Sequence, residues 1–149
     1  MNKQIGFTLV ELMVVVAILG VISTIGMVSY GAHVAKGDRD RGCVMILPEI
    51  ARDLEIYKQV NGAYAASFNV LNSVLKLSRE WSSPPKDTTL KHTYEIVLTN
   101  AGQGFTLNCI PAEGRAGLDA SGCGMLTYDN FGRRGAIAEA GKSADSCWR

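Results

Sequence analysis

A single carboxylate near the N-terminus is the group best placed to do chemistry. Glu11 lies in an otherwise apolar run that begins directly after Gly6-Phe7. If the chain is cut between Gly6 and Phe7, the new amine of Phe7 lies one helical turn from Glu11, about 6 Å of rise. The amine and the carboxylate could then pair, within one chain or between chains staggered by about a turn. Such a pair neutralises both charges in an apolar environment and sets an axial offset between chains.

A simpler role for Glu11 stays open at this point. The helix macrodipole favours negative charge near a helix start, so the acid could be tolerated there without any partner. An acid at the centre of a membrane, however, costs about 2.5–3.5 kcal/mol on insertion scales and usually finds a partner. We therefore favour the pairing interpretation.

The run around Glu11 is long enough to cross a membrane. Glu11 is its only charged residue from Phe7 to Val28, and roughly 20 helical residues span a hydrocarbon core. A secretory signal peptide has a shorter apolar core, of about 7–15 residues, and a small-residue cleavage site. The sequence shows neither and predicts a retained anchor, with Lys3 on the cytoplasmic side and the chain after Ser29 outside.

The other reactive groups are four cysteines: Cys43, Cys109, Cys123 and Cys147. No two of them are spaced as C-x-x-C, so thioredoxin-like and zinc-ribbon sites have no support. An even number of cysteines after a membrane anchor favours disulfides in an oxidising compartment, such as a periplasm or cell surface. Metal ligation and free thiols are the less favoured alternatives.

An amphipathic helix should follow the anchor. A stripe of apolar residues recurs every three or four positions, and Asn61-Gly62 then gives a helix stop. Pro48 should kink the helix or restart it nearby. The charge-balanced run KGDRDRG, from Lys36 to Gly42, suggests a solvated face or a contact between subunits. The stripe consists of Cys43, Leu47, Ile50, Leu54 and Tyr57.

Strand patterns occupy the second half of the chain. Residues 65–91 are predicted to be a loop-rich connection with at most a short helix. Strands are predicted at 92–99, 105–112 and 123–129, with NAGQG as a hairpin loop and NFGRRG as a turn. The predicted fold is α+β: a long N-terminal helix, half membrane and half amphipathic, packed on three or four antiparallel strands with a disulfide-tied C-terminal segment.

The disulfide connectivity has two candidate solutions. Cys43 lies on the helix stripe, and Cys109 shares a strand face with Phe105 and Leu107, so these two cysteines can meet if that face covers the stripe. Cys123 would then pair with Cys147 and tie back the tail. The alternative joins Cys109 to Cys123 and leaves Cys43 reduced and buried.

No residue pattern supports an enzyme. His33 and His92 have no catalytic partner nearby in sequence, and we expect both to lie on the surface. Asp119 and Asp129 lie near glycines but lack the spacing of a calcium loop, so we assign them to ordinary loops and expect no metal. Arg133-Arg134 is expected to be a solvated turn rather than a phosphate or DNA contact.

The stretch KQIGFTLVELMVVVAILGVI resembles the start of a type IV prepilin. The resemblance implies that Gly6 ends a leader peptide, that prepilin peptidase cuts before Phe7, and that the new amine is N-methylated. It also implies that Glu11 and Phe7 act in filament assembly. The implied plan is a leader at 1–6, a transmembrane and filament-core helix at 7–29, and a periplasmic or extracellular head at 30–149.

The C-terminal stretch CGMLTYDNFGRRG and the final CW resemble the end of a group of minor pilins. We therefore expect a structural subunit of a type IV pilus, with roles in filament assembly and through it in adhesion, twitching motility or DNA uptake. Expected partners are major and minor pilin subunits, prepilin peptidase and an inner-membrane assembly platform. The subunit should be single-pass in the bacterial inner membrane before assembly and in the surface pilus afterwards, with no cofactor.

Three alternatives remain. A pseudopilin of a type II secretion system shares this N-terminus, although its major kind often carries a calcium loop that the sequence does not show. A DNA-binding pilin of a competence pilus finds little support in a formal net charge of +1. An uncleaved, anchored periplasmic domain would retain Lys3 and tolerate Glu11→Ala.

Overall fold

The chain folds into a long helical stem followed by a head of helices and sheet. The structure is a computed structural model that describes residues 8–76, 80–83, 92–111 and 118–149. The α+β class is confirmed, with four strands. The helices are α1 (Leu9–Arg39), α2 (Ile46–Asn61) and α3 (Phe68–Leu75), and the strands are β1 (His92–Thr99), β2 (Gly104–Pro111), β3 (Cys123–Asp129) and β4 (Arg134–Ala138).

The four strands form one antiparallel sheet in the order β1-β2-β3-β4. β1 occupies the predicted residues, whereas β2 begins at Gly104, one residue earlier than predicted, and Ala112 lies outside the described residues. Because side chains alternate along a strand, one face of the sheet is buried. That face carries Tyr94, Phe105, Leu107, Cys109 and Leu126.

The predicted helix stripe covers this face of the sheet. Tyr57 lies partly buried at the edge of the core, and α2 ends at Asn61 with Gly62 in the left-handed conformation at φ 80°, as the sequence predicts. The rest of the stripe is fully buried: Cys43, Leu47, Ile50 and Leu54. Apolar burial between α2 and the sheet is therefore the main source of stability in the head.

The helix changes register between α1 and α2 rather than breaking at Pro48. Residues Asp40–Val44 form a π-helical turn, in which the N–H of Met45 donates to the carbonyl of Asp40 at 3.1 Å. α2 begins at Ile46, so Pro48 lies in its first turn, where a missing N–H is tolerated. The predicted restart near Pro48 therefore occurs, two residues before the proline.

The segment predicted to be loop-rich contains α3, and a tryptophan ties the chain beyond it to the head. Asn72 of α3 binds the backbone of Trp81 twice, accepting from its N–H at 3.0 Å and donating to its carbonyl at 2.7 Å. The Trp81 indole N–H donates to the buried carboxylate of Asp53 on α2 at 2.8 Å. Asp53 also pairs with the guanidinium of Arg52 at 3.4 Å, so its buried carboxylate has a charged partner as well as a neutral one.

The connectivity gives the head two distinct ends. Near the end of α1, Cys43 is bonded to Cys109 at the end of β2, which defines the stem-proximal end. The β1–β2 loop lies at the opposite, distal end beside the end of α2, because Lys58 donates to the carbonyl of Gln103 at 3.0 Å. The β3–β4 turn, residues 130–133, also lies at the distal end, where Asn130 N–H donates to the carbonyl of Phe105.

Gly42→Ala should lower the free energy of unfolding by about 1–3 kcal/mol, because an added methyl group would be forced into a filled core. The new Cβ would lie 2.6 Å from Nδ1 of His92. Gly37→Ala is the matched control, since a Cβ there meets no described atom within 4 Å. Urea unfolding of the detergent-solubilised chain measures both variants, and equal effects would contradict the close contact at Gly42.

Candidate functional site

The first half of α1 is apolar and uncovered. Every residue from 9 to 23 is exposed, including large aliphatic side chains on all sides of the helix. Among the residues that the structure describes, no helix is both long and apolar enough to cross a membrane. An exposed apolar surface of this extent marks a site of interaction.

Glu11 has a local partner at the start of α1. Its Oε2 accepts hydrogen bonds from the backbone N–H and from the hydroxyl of Thr8, both at 2.9 Å, and the Thr8 hydroxyl accepts from the N–H of Glu11 at 3.3 Å. This is a capping box, which satisfies donors that a helix start otherwise leaves unpaired. Both bonds from Thr8 to the carboxylate go to Oε2, and neither involves Oε1. Gly6 and Phe7 lie outside the described residues.

A buried arginine fastens the end of α1 to the C-terminal part of the head. Arg39 is 3% exposed, and its Nη1 donates to Asp119 Oδ2 at 2.6 Å and to Ser121 Oγ at 2.5 Å. Its Nε donates to the carbonyl of Cys147 at 2.9 Å. One guanidinium therefore joins the stem, the β2–β3 connection and the tail, and we call this set the Arg39 clamp.

The acid of the Arg39 clamp is stabilised in its charged form. Burial raises the pKa of Asp119, but hydrogen bonds from Ser121, from the N–H of Cys123 and from Arg39 outweigh burial and hold the pKa below its ordinary value. The pair is therefore ionised at neutral pH. A loop aspartate that the sequence left without a role is thus the counter-ion of a buried arginine.

Two disulfides enclose the same region. Cys43 is bonded to Cys109, and Cys123 to Cys147, with Cα–Cα distances of 5.8 and 5.7 Å. Cys43 is therefore not left reduced, as the alternative pairing would require. Trp148 follows the second bridge, and its indole N–H donates to the carbonyl of Gly135 on β4 at 2.9 Å.

His92 is buried, so the expectation of a surface position was wrong for it and holds only for His33. Its ring packs on Gly42, and its Nδ1 has no hydrogen-bond partner among the residues that the structure describes. Burial lowers the pKa of His92 below its ordinary value of 6.5; Asp38 and Asp119 act in the opposite direction, and Arg39 reinforces the lowering. The neutral imidazole is therefore the native form.

The remaining candidate residues have structural roles. Asp129 ends β3, and its carboxylate accepts from the N–H groups of Phe131 and Arg133 and from Arg133 Nε at 2.6 Å. Arg133 and Arg134 are exposed, in keeping with a solvated turn. Within the described ranges, no group of three or more potential metal ligands comes together.

The N-terminal part of the chain is similar to known proteins. Residues 1–27 match the prokaryotic N-terminal methylation motif. A type IV major alpha-pilin of Moraxella bovis is 44% identical over 41 residues, which is 28% of this chain and 26% of that protein. The chain thus covers about a quarter of the length of the fimbrial relatives that it matches.

A longer match extends into the head. The type II secretion system core protein G of Pseudomonas aeruginosa is 28% identical over 147 residues, covering 87% of this chain and 98% of that protein. A solved type IV pilin from Shewanella oneidensis is 23% identical with a TM-score of 0.43, over 80% of this chain and 99% of that one.

The chain is a homologue of type IV pilins and of a type II secretion pseudopilin. In this pilin homologue, the prepilin resemblance seen in the sequence is confirmed by the motif match, which includes Gly6, Phe7, Thr8 and Glu11.

The Arg39 clamp is the feature of the pilin homologue that sequence reasoning missed. The run from Lys36 to Gly42 was expected to be a solvated face or a subunit contact, yet Arg39 and Gly42 are buried. A signal was present, because Arg39 lies four residues before Cys43 and extends the buried stripe by one helical turn. Because arginine is rarely buried unless it is paired, the charge of Arg39 indicated an exposed position rather than one on the buried stripe.

Arg39→Met should destabilise the pilin homologue by about 3–5 kcal/mol, because it leaves the buried carboxylate of Asp119 without its counter-ion. Arg41→Met is the matched control: Arg41 is 71% exposed and pairs with Asp38 at the surface, so its loss should cost less than about 1 kcal/mol. Thermal unfolding under non-reducing conditions measures both. A loss for Arg39→Met no greater than for the control would contradict the clamp.

Stability should also fall in mildly acidic solution because of His92. The unfolded histidine takes up a proton as the pH drops through 6.5, whereas the buried native imidazole resists protonation. The free energy of unfolding should therefore be constant above that pH and decrease below it. Urea unfolding between about pH 8 and pH 5 tests this.

The matched variants for the pH experiment are His92→Gln and His33→Gln. The first should flatten the profile in this window, because the titrating group is gone. The second changes an exposed histidine on α1 and should keep the parent profile. The role given to His92 would be contradicted if the free energy of unfolding of the parent did not change with pH in this window. It would also be contradicted if His92→Gln left the pH dependence of the parent unchanged.

Proposed function

We propose that this pilin homologue is a structural subunit, of the minor kind, of a type IV pilus. The observation that carries the proposal is the stem: a helix apolar on all sides and exposed from residue 9 to residue 23, joined to a disulfide-tied head. Such a helix needs apolar surroundings, and lipid before assembly and other stems after assembly supply them. Residues 7–29 are the proposed anchor and filament-core segment, and 30–149 the head.

Maturation would remove residues 1–6 by prepilin peptidase cleavage between Gly6 and Phe7, with N-methylation of Phe7. The capping box supports this scheme, because its donors are the backbone N–H and hydroxyl of Thr8. The Phe7–Thr8 peptide bond lies after the cut, so cleavage leaves the helix start intact. The new amine then lies one turn before Glu11, about 6 Å along the helix.

In the proposed filament, the Phe7 amine of one subunit pairs with Glu11 of its own or a neighbouring chain. Oε2 already accepts from Thr8, and Oε1 is the oxygen we assign to the amine. Pairing two opposite charges among apolar stems avoids the large cost of burying either one alone. The pair then favours one axial offset between subunits, because any other leaves both charges unpaired.

Before assembly the subunit would sit in the bacterial inner membrane, where the assembly platform receives it. After assembly the head would face outward in the surface pilus, among major and minor subunits. The resemblance of the C-terminal segment to minor pilins supports the minor kind. Adhesion, twitching motility and DNA uptake are the processes that such a pilus would serve.

A second candidate function is that of a pseudopilin in a type II secretion system. It is favoured by the 28% identity that extends over 87% of the chain to a secretion core protein. The two candidates share the processing step and the stem, so they differ in which filament takes up the subunit. Loss of secretion with normal pili in a strain lacking the chain would decide for the pseudopilin.

Glu11→Gln should reduce the amount of subunit in the sheared filament fraction by roughly tenfold or more, because the amine then lacks its counter-charge among apolar stems. Glutamine can still close a capping box, so the helix start persists. Immunoblots of sheared filaments and membranes measure the ratio of assembled to unassembled chain.

Thr8→Ala is the matched control for the carboxylate. It removes the hydroxyl from the capping box and keeps the charge of Glu11, so it should reduce assembly by less than about threefold. If Glu11 served only the capping box, the order would reverse: Glu11→Gln would be harmless and Thr8→Ala harmful. That result would overturn the assembly role of Glu11.

A further inference from the structure

The C-terminal tail lies against the end of the stem and covers a charge there. Its residues Ala144–Trp148 form a short 3₁₀ helix, which we call the strap. The carbonyl of Cys147 in the strap accepts from Nε of Arg39 at 2.9 Å, a contact between residues 108 positions apart. Arg39 is only 3% exposed, although arginine is among the residues that are least often buried. The strap is therefore part of the cover that keeps this guanidinium from water.

Two attachments hold the strap to the sheet. The Cys123–Cys147 disulfide joins it to the start of β3, and the Trp148 indole N–H donates to the carbonyl of Gly135 on β4 at 2.9 Å. The disulfide belongs to the same residue whose carbonyl accepts from Arg39, whereas the indole bond fixes the next residue. A covalent link limits motion more than a hydrogen bond, whose net contribution to stability is small. The disulfide is therefore the attachment that keeps the strap over Arg39.

The other acceptors of Arg39 lie just before the second cysteine of the same bridge. They are Asp119 and Ser121, which precede Cys123 in the chain. The Asp119 carboxylate accepts from the N–H of Cys123 at 3.1 Å, and the Asp119 N–H donates to the Cys123 carbonyl at 2.7 Å. This turn is closed by its own hydrogen bonds and can hold Asp119 without the disulfide. Opening the bridge would then leave Arg39 paired with Asp119 but uncovered on the side of the strap.

The closed strap also protects the bond that closes it. Cys147 is fully buried, and Cys123 is 3% exposed. A disulfide is reduced when a thiolate attacks one of its sulfur atoms, so the attacking group needs access to the bond. Reduction therefore requires the strap to move first. Each contact that holds the strap in place, including the one from Arg39, should slow that reduction.

We propose that the strap is a redox switch: oxidation of Cys123 and Cys147 closes it over Arg39, and the closed strap then shields its own disulfide. In the closing step, one cysteine thiolate attacks an external disulfide and releases a thiol, and the second cysteine attacks the mixed disulfide and releases the other. The two cysteines lose two electrons and two protons, and the external disulfide is reduced to two thiols. The inference goes beyond the proposed function and is the same for either candidate filament.

The reactivity of arginine tests the cover directly. Phenylglyoxal, which modifies accessible guanidinium groups, is added to the detergent-solubilised full chain, and the modified peptides are quantified by mass spectrometry. In the double variant Cys123→Ala with Cys147→Ala, the rate at Arg39 should rise about tenfold over the parent, within the usual range of coupling between two sites. Arg41, which is 71% exposed, is the internal reference and should react equally in both chains.

The matched control removes the other disulfide. Cys43→Ala with Cys109→Ala leaves the strap bonded to β3, so Arg39 should stay as unreactive as it is in the parent. The inference would be overturned if Arg39 stayed protected without the Cys123–Cys147 bond. It would also be overturned if Arg39 lost its protection equally in both double variants.

A reciprocal measurement needs no cysteine variant and decides the question if the double variants fail to fold. Coupling between two sites acts in both directions, so loss of the Arg39 contact must make the strap disulfide easier to reach. The chain is treated with dithiothreitol, and the freed cysteines are alkylated and identified by mass spectrometry. Arg39→Met should accelerate reduction of Cys123–Cys147 about tenfold more than reduction of the other disulfide. Arg41→Met should react as the parent does.

Two results of the reduction experiment would overturn the inference. Equal acceleration of both disulfides by Arg39→Met would mean that the whole head opens rather than the strap alone. No acceleration would mean that the contact from Arg39 does not hold the strap in place.

Discussion

The helical part of the chain is exposed at its N-terminal end and buried against the sheet at its C-terminal end. The contacts of the head depend on where along the helix exposure changes to burial. From Leu9 to Ser23 the described helix residues are exposed and, apart from Glu11 and Ser23, apolar, whereas from Cys43 to Leu54 one stripe is buried against the sheet. The π-helical turn at Asp40–Val44 lies between these parts. Such turns often occur at functional sites in helices, and this one contains Gly42 and Cys43, both buried.

The joint is rigid because three kinds of interaction meet there. The disulfide from Cys43 crosses to β2, the ring of His92 packs on Gly42, and the Tyr94 hydroxyl donates to the Gly42 carbonyl at 2.6 Å. Arg39 then connects the same turn to the tail through the carbonyl of Cys147. The end of α1 is therefore tied both to the sheet and to the C-terminal segment.

Much of this structure could be predicted from sequence, because periodicity and turn residues are local signals. The stripe from Cys43 to Tyr57, the strand from His92 to Thr99 and the Asn61-Gly62 stop all lie where they were expected. The burial of Arg39 and His92 could not be predicted in the same way. It depends on Asp119, 80 residues from Arg39, and on the close approach of Gly42, which only the folded chain creates.

The central claim is that the stem becomes a filament core after a cut that creates an amine beside Glu11. The most direct test is the N-terminal peptide mass of the chain, measured separately in the membrane and in sheared filaments. We expect the filament population to begin at Phe7 with one methyl group on its amine. Chain that begins at Met1 in a strain with active prepilin peptidase, and that is missing from filaments, would contradict the claim and leave an anchored domain in its place.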